Sequence, residues 1–145
     1  MLAFFLLGLY TADAQTKSVE NDIYGKWHSL ENNLDIRVYS QNGEIKSEVI
    51  WFKLDNGMKP MTEWTDTKNP DKAMRSRKIL GLSVVKGLVY DAKRKSWEHG
   101  TIYDAMNGHY WDASASITKD GLLKVIGYWH FKFIGRTMTF KRIDG

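Results

Sequence analysis

Cysteine is absent from the sequence, and with it go disulfides, thiolate nucleophiles and cysteine-ligated zinc or iron–sulfur centres. A membrane-spanning run is missing as well. The one marked apolar stretch, Met1 to Tyr10, falls far short of the roughly 20 residues a spanning helix needs. No internal stretch keeps a helical period, and there is no repeat or low-complexity tract. The chain also lacks His-Glu-x-x-His, a Gly-x-Ser-x-Gly elbow and a phosphate-cradling glycine loop. Its histidines, His28, His99, His109 and His130, are widely spaced and read as ordinary surface or turn residues rather than metal ligands. No catalytic residue, metal site or cofactor follows from these patterns.

What is present begins with that apolar segment, followed by Ala12-Asp13-Ala14 before Gln15, a small-x-small cleavage pattern. Residues 1–14 therefore read as a signal peptide and residues 15–145 as one domain, a length that suits a single core. The expected location is periplasmic or secreted, with no transmembrane anchor. No cysteine follows the cleavage point, so a lipid anchor is not supported. The formal net charge is +4, and cleavage would remove only Asp13. Two basic clusters, Lys72-Arg75-Arg77-Lys78 and Lys93-Arg94-Lys95, read as solvated faces in preference to sites for phosphates, anionic sugars or a membrane surface. Basic residues do not interleave with aromatics along one strand, which disfavours nucleic acid as a partner. Nothing fixes the oligomeric state.

Short β-like runs recur with turn signals between them, predicting eight strands near 24–29, 34–40, 44–54, 83–90, 96–104, 109–117, 122–131 and 136–143. The fold class is all-β: one antiparallel up-and-down barrel. Asn42-Gly43 is a type I′ hairpin signal. Pairing Gln41 with Glu44 sets Ile36 opposite Val49 and Leu34 opposite Trp51 on an apolar face, with Arg37 opposite Glu48 on the other. A second hairpin at Lys119-Asp120-Gly121 pairs Ile117 with Leu123, Ala115 with Val125, Ala113 with Gly127 and Trp111 with Trp129, all taken as interior. For the hairpin at 105–108 the interior set is either Glu98, Gly100 and Ile102 or Trp97, His99, Thr101 and Tyr103, and the first is preferred. The long connection from Leu54 to Leu82 has the length of a lid or binding loop. Within it Asn69 can cap one or two helical turns over 70–77, opened by Pro70.

Gly25-Lys26-Trp27 on the first strand and Arg142 on the last resemble the Gly-x-Trp and late Arg of lipocalins. The resemblance implies a structural role for Trp27 and Arg142, with the guanidinium over the indole at one barrel end. Further segments resemble the exported bacterial family called domain of unknown function 2147. They are Asp66 with Asn69-Pro70-Asp71, Arg75 and Arg77 before Leu80-Gly81-Leu82, and Trp97 through Gly100 to Ile102-Tyr103-Asp104. Asn107-Gly108, Leu123 to Gly127-Tyr128, and Gly135 to Arg142 complete the set. Ala105 and Phe140 depart from that pattern, where it has Pro and Trp. The family name confers no activity.

Three functions are ranked. First is a lipocalin-like binding protein for a small apolar or amphipathic molecule, because Ala113, Ala115 and Gly127 lie between Trp111, Trp129 and Phe131 and leave space. Candidate binding residues are Trp111, Ala113, Gly127, Trp129, Glu98, Asn69, Asp66 and Arg75. Second is a cell-envelope interaction module with a filled barrel. Third is an enzyme whose Asp66, Asp71, Glu98 and Asp104 converge at the barrel mouth. If Glu98 points inward it needs a partner, with Arg75 and Arg77 as candidates.

Overall fold

The structure is a computed structural model, and it describes residues 19–54, 59–132 and 135–143. The proposed signal segment lies outside them. Among the described residues nine strands form one antiparallel sheet: β1 (Gly25–Ser29), β2 (Leu34–Gln41), β3 (Glu44–Phe52), β4 (Ser83–Lys86), β5 (Val89–Asp91), β6 (Ser96–Asp104), β7 (His109–Ile117), β8 (Leu123–Tyr128) and β9 (Gly135–Arg142). Their order is β4-β3-β2-β1-β9-β8-β7-β6-β5, and β4 also pairs with β6. That last pairing closes the sheet into the expected barrel. No helix among the described residues is long and apolar enough to cross a membrane.

The expected fourth strand is two. It breaks at Gly87-Leu88, with β4 bridging β3 and β6 while β5 pairs with β6 alone. Directly across, β6 carries a bulge between Trp97 and Gly100, where His99 adopts a positive φ of 63°. The bulge inserts one extra residue and so mixes the two interior sets weighed from sequence. Trp97 pairs with Ala115, Gly100 with Ala113 and Ile102 with Trp111, so these three share the inner face.

The Asn42-Gly43 turn has φ of 53° and 75°, as a type I′ hairpin requires. From it Gln41–Glu44, Arg37–Glu48 and Ile36–Val49 pair as expected, and Arg37 and Glu48 form an ion pair at 2.7 Å. Beyond Ile36 the ladder shifts. Ile50 is the extra residue of a second bulge, so Leu34 meets Phe52 rather than Trp51. Phe52 is consequently buried and Trp51 only half-buried. The hairpin after Ile117 pairs Ile117–Leu123, Ala115–Val125 and Ala113–Gly127 as expected, but its ladder ends at Asp112–Tyr128. Trp129 and Phe131, expected inside, are 58% and 59% exposed.

The core runs through the barrel and includes Trp27, Ile36, Val38, Val85, Leu88, Trp97, Leu123, Val125 and Phe140. Trp27 is fully buried and donates its Nε1–H to Ile23 O at 3.0 Å. Arg142, its register partner on β9, places its guanidinium 4.1 Å from the indole. Two of its nitrogens donate to Tyr24 O at 2.7 Å and Asp22 O at 2.5 Å. One side chain thus ties the chain entering β1 to the last strand and seals that end. Arg142→Ala is expected to lower stability by about 1–3 kcal/mol, through the lost cation–π contact and packing. A denaturant melt that overlays the wild type would refute this role.

Candidate functional site

The connections after β1, β3, β6 and β8 gather at the end of the barrel opposite Trp27, because each antiparallel step reverses the chain. The longest, between Phe52 and Ser83, is internally organised. Thr65 bridges Lys78, while Asp66 N donates to Arg77 O at 2.9 Å and Ile79 N to Trp64 O at 3.0 Å. At the tip, Asn69 Oδ1 accepts from Asp71 N at 2.8 Å, an Asx turn. The helix expected over 70–77 is one 3-10 turn, Lys72–Met74, capped by Asp71 accepting from Ala73 N. A longer helix would carry Arg77 away from its pairing with Asp66.

Asp66 is the centre of this loop. It is fully buried, and its carboxylate accepts from Tyr103 Oη at 2.6 Å, Asn69 Nδ2 at 2.8 Å and Arg77 Nε at 2.9 Å. Burial pushes its pKa up, but the hydrogen bonds from Tyr103, Asn69 and Arg77 outweigh that, and the carboxyl sits below its usual value of 3.8. Burial and donation to Asp66 push the Tyr103 phenol up to about 12. Arg77 also lies over the Tyr103 ring at 5.5 Å, the Tyr110 ring packs against it at a tilt with centroids 4.8 Å apart, and Arg75 Nε donates to Asn69 O at 2.8 Å. Tyr103 follows Ile102, which packs against the core, so by strand alternation Tyr103 and this loop cover the outer wall.

The four acidic residues do not converge. Asp71 caps the 3-10 turn, and Asp104 accepts from Met106 N and Asn107 Nδ2 in the β6–β7 turn. Glu98 is buried elsewhere, opposite the exposed Val89 of β5. Its partners are Lys132 Nζ, Ser96 Oγ at 3.0 Å and Arg94 Nη1 at 3.6 Å, not Arg75 or Arg77. Asp66 is surrounded by donors only, an arrangement that holds a carboxylate ionised rather than one that exchanges protons. Among the described residues no group of three or more His, Asp or Glu is placed to hold a metal ion. His28 is bonded on both ring nitrogens, to Asn32 Oδ1 at 2.9 Å and to Asp35 Oδ1. Those two hydrogen bonds raise its pKa above 6.5.

The space anticipated beside the small residues is occupied. A Cβ on Gly127 would lie 3.3 Å from Ile102 Cγ2 and 3.7 Å from Trp111 Cβ, and one on Gly100 would lie 2.5 Å from Leu88 Cδ2. Ala113 is fully buried. Above that layer, at the end opposite Trp27, the rings of His109, Trp111, Trp129 and His130 follow one another edge to face at 6.3, 6.3 and 5.1 Å. Thus Trp111 and Trp129 meet at a rim, Ala113 and Gly127 pack beneath it, Asp66, Asn69 and Arg75 form the outer-wall loop, and Glu98 stands apart. Sequence reading missed Tyr103 of β6 as the partner of Asp66 and Lys132 as the partner of Glu98.

A profile of a family described as an uncharacterized protein conserved in bacteria (DUF2147) matches residues 25–142. The fold is similar to that of protein HP1028 from the human pathogen Helicobacter pylori, described as belonging to the lipocalin family. The two share a TM-score of 0.69 and 20% identity over 83% of this chain and 82% of that one. No curated protein matches the sequence.

Proposed function

We infer a binding function from one premise: this chain belongs to the bacterial DUF2147 family, and its barrel is lipocalin-like. Its ligand is a small apolar or amphipathic molecule held at the end of the barrel opposite Trp27, against the rim of Trp111 and Trp129, rather than enclosed deep inside. The observation that carries this reading is the exposure of Trp129 and Phe131 at that end. Large exposed aromatics clustered together mark interaction sites more often than chance solvent contact. Export fits the same picture, supported by the apolar Met1 to Tyr10 stretch and Ala12-Asp13-Ala14.

A second reading has its own observation. The packing of Leu88 and Ile102 around Gly100 and Gly127 favours a filled barrel that uses its surface to contact another envelope protein. Titration with the neutral fluorophore N-phenyl-1-naphthylamine separates the two. Binding to the wild type is expected, and Trp129→Ala should weaken it roughly three- to tenfold, the value of one aromatic contact. Trp129 is exposed, so the variant keeps its fold. A wild type that leaves the fluorophore dark, or a Trp129→Ala variant that binds it equally well, would transfer preference to the interaction reading.

A further inference from the structure

On the outer wall, a cleft of about 190 Å³ opens between the loop and β4, β6 and β7. We propose that this cleft binds the oxyanion of a small aryl carboxylate or aryl phosphate, at a site separate from the aromatic rim. Two cations reach it, Arg77 and Lys86, together with the hydroxyl-bearing Ser83 and Thr101 and the ring of Tyr110. Among the described residues no carboxylate lines it. Asp112, the ladder partner of Thr101, is not among its walls. Arg77 is held from behind: its Nε is bonded to the buried Asp66, whose charge is met by three donors. That leaves the two terminal guanidinium nitrogens without a hydrogen bond among the described residues, and Lys86 without an ion pair there. A guanidinium fixed by a buried carboxylate behind it and flanked by an ammonium is preorganised for a planar or tetrahedral oxyanion.

Size and shape narrow the class. The cleft, about 190 Å³, has room for one ring bearing a charged head group beside the two cations. The rings of Tyr103 and Tyr110, with centroids 4.8 Å apart and planes tilted by 40°, border the cleft beside the cations, where an aryl group has ring contacts to make.

Benzoate, phenyl phosphate and inorganic phosphate, with benzylamine as the cationic control, test this by NMR on the ¹⁵N-labelled full chain. Both aryl anions are expected to shift the Arg77 Nε–H and Tyr110 resonances saturably, while benzylamine does not. Lys86→Gln should weaken both about tenfold, the worth of one charge-assisted contact. Tyr110→Ala should weaken the aryl anions and leave inorganic phosphate unaffected. Both residues are exposed, so these variants are expected to fold, and Arg77 is left in place to keep Asp66 paired. A stronger response to benzoate than to phenyl phosphate, or the reverse, identifies the head group, and either supports the site. Saturable benzylamine binding, an unchanged Lys86→Gln affinity, or no shift with any anion overturns it. Inorganic phosphate binding as tightly as phenyl phosphate overturns the aryl assignment.

Discussion

Asp66→Ala is expected to destabilise the protein by about 2–4 kcal/mol, because it removes the acceptor for three donors at once. The Tyr103 hydroxyl and the Asn69 amide would be left buried and unpaired, and Arg77 would lose its counter-charge. Asp66→Asn, which keeps an acceptor oxygen for Tyr103 but turns an N–H toward Arg77, should fall between the two. Denaturant melts at neutral pH measure the loss. The pH dependence has a definite sign. Since the folded carboxyl titrates below 3.8, its contribution is fully present above that value and is lost as pH falls through the lower folded pKa. At the alkaline end the Tyr103 phenol, raised from 10.0 to about 12, contributes stability below pH 10 that disappears as pH rises through 12. Asp66→Asn should therefore flatten the acid limb of the stability profile and bring the phenol back toward 10. A variant as stable as the wild type, with an unmoved phenol, would show that the network holds nothing together.

Gly108→Ala should have an effect of similar size for a different reason. Gly108 has φ of +70°, and a Cβ there would stand 2.0 Å from Lys68 O and 2.9 Å from Lys68 C. Both are backbone atoms, so the loop carrying Asp66 and Asn69 must move away from the β6–β7 turn. Strain of about 1–2 kcal/mol for a left-handed alanine adds to the separation of the two segments, for a total of about 2–4 kcal/mol. Gly43→Ala is the control. It has φ of +75° but nothing within 4 Å, and should lose only the conformational part. Limited proteolysis at Lys68, Lys72 and Arg75 reads the detachment directly, since a released loop is cut far faster. Equal cutting of Gly108→Ala and wild type would refute the docking role of that turn.

How much of this was legible beforehand depended on the range of each constraint. The Asn42-Gly43 and Lys119-Asp120-Gly121 turns fix φ locally, so the pairings next to them followed from sequence, while the neighbouring positions of Trp27 and Arg142 were implied by the lipocalin resemblance. The bulges at Ile50 and near His99 were not legible. Closing a barrel demands extra twist at particular places, and no residue type announces which strand will supply it. Their effect spread: Phe52 replaced Trp51 inside, and Trp97 joined Gly100 and Ile102. The network around Asp66 was not legible because Tyr103 lies 37 residues along the chain and only folding brings it near. The small residues Ala113 and Gly127 were read as space, but Ile102 and Trp111 reach across to fill it, which a two-strand register cannot reveal.

The pairing of β4 with β6 has a consequence for the behaviour of the chain at high concentration. An open sheet exposes a row of unpaired amides and carbonyls on which another molecule can extend the ladder, the usual route to edge-to-edge aggregation. Here the ring of strands leaves an outward edge on β5, and that strand is only three residues long, Val89–Asp91. It ends in Asp91, whose carboxylate is engaged by the following turn. A template so short, capped by charge, gives an incoming strand little to grip, so among the described residues the closed sheet offers few places for another molecule to extend the ladder.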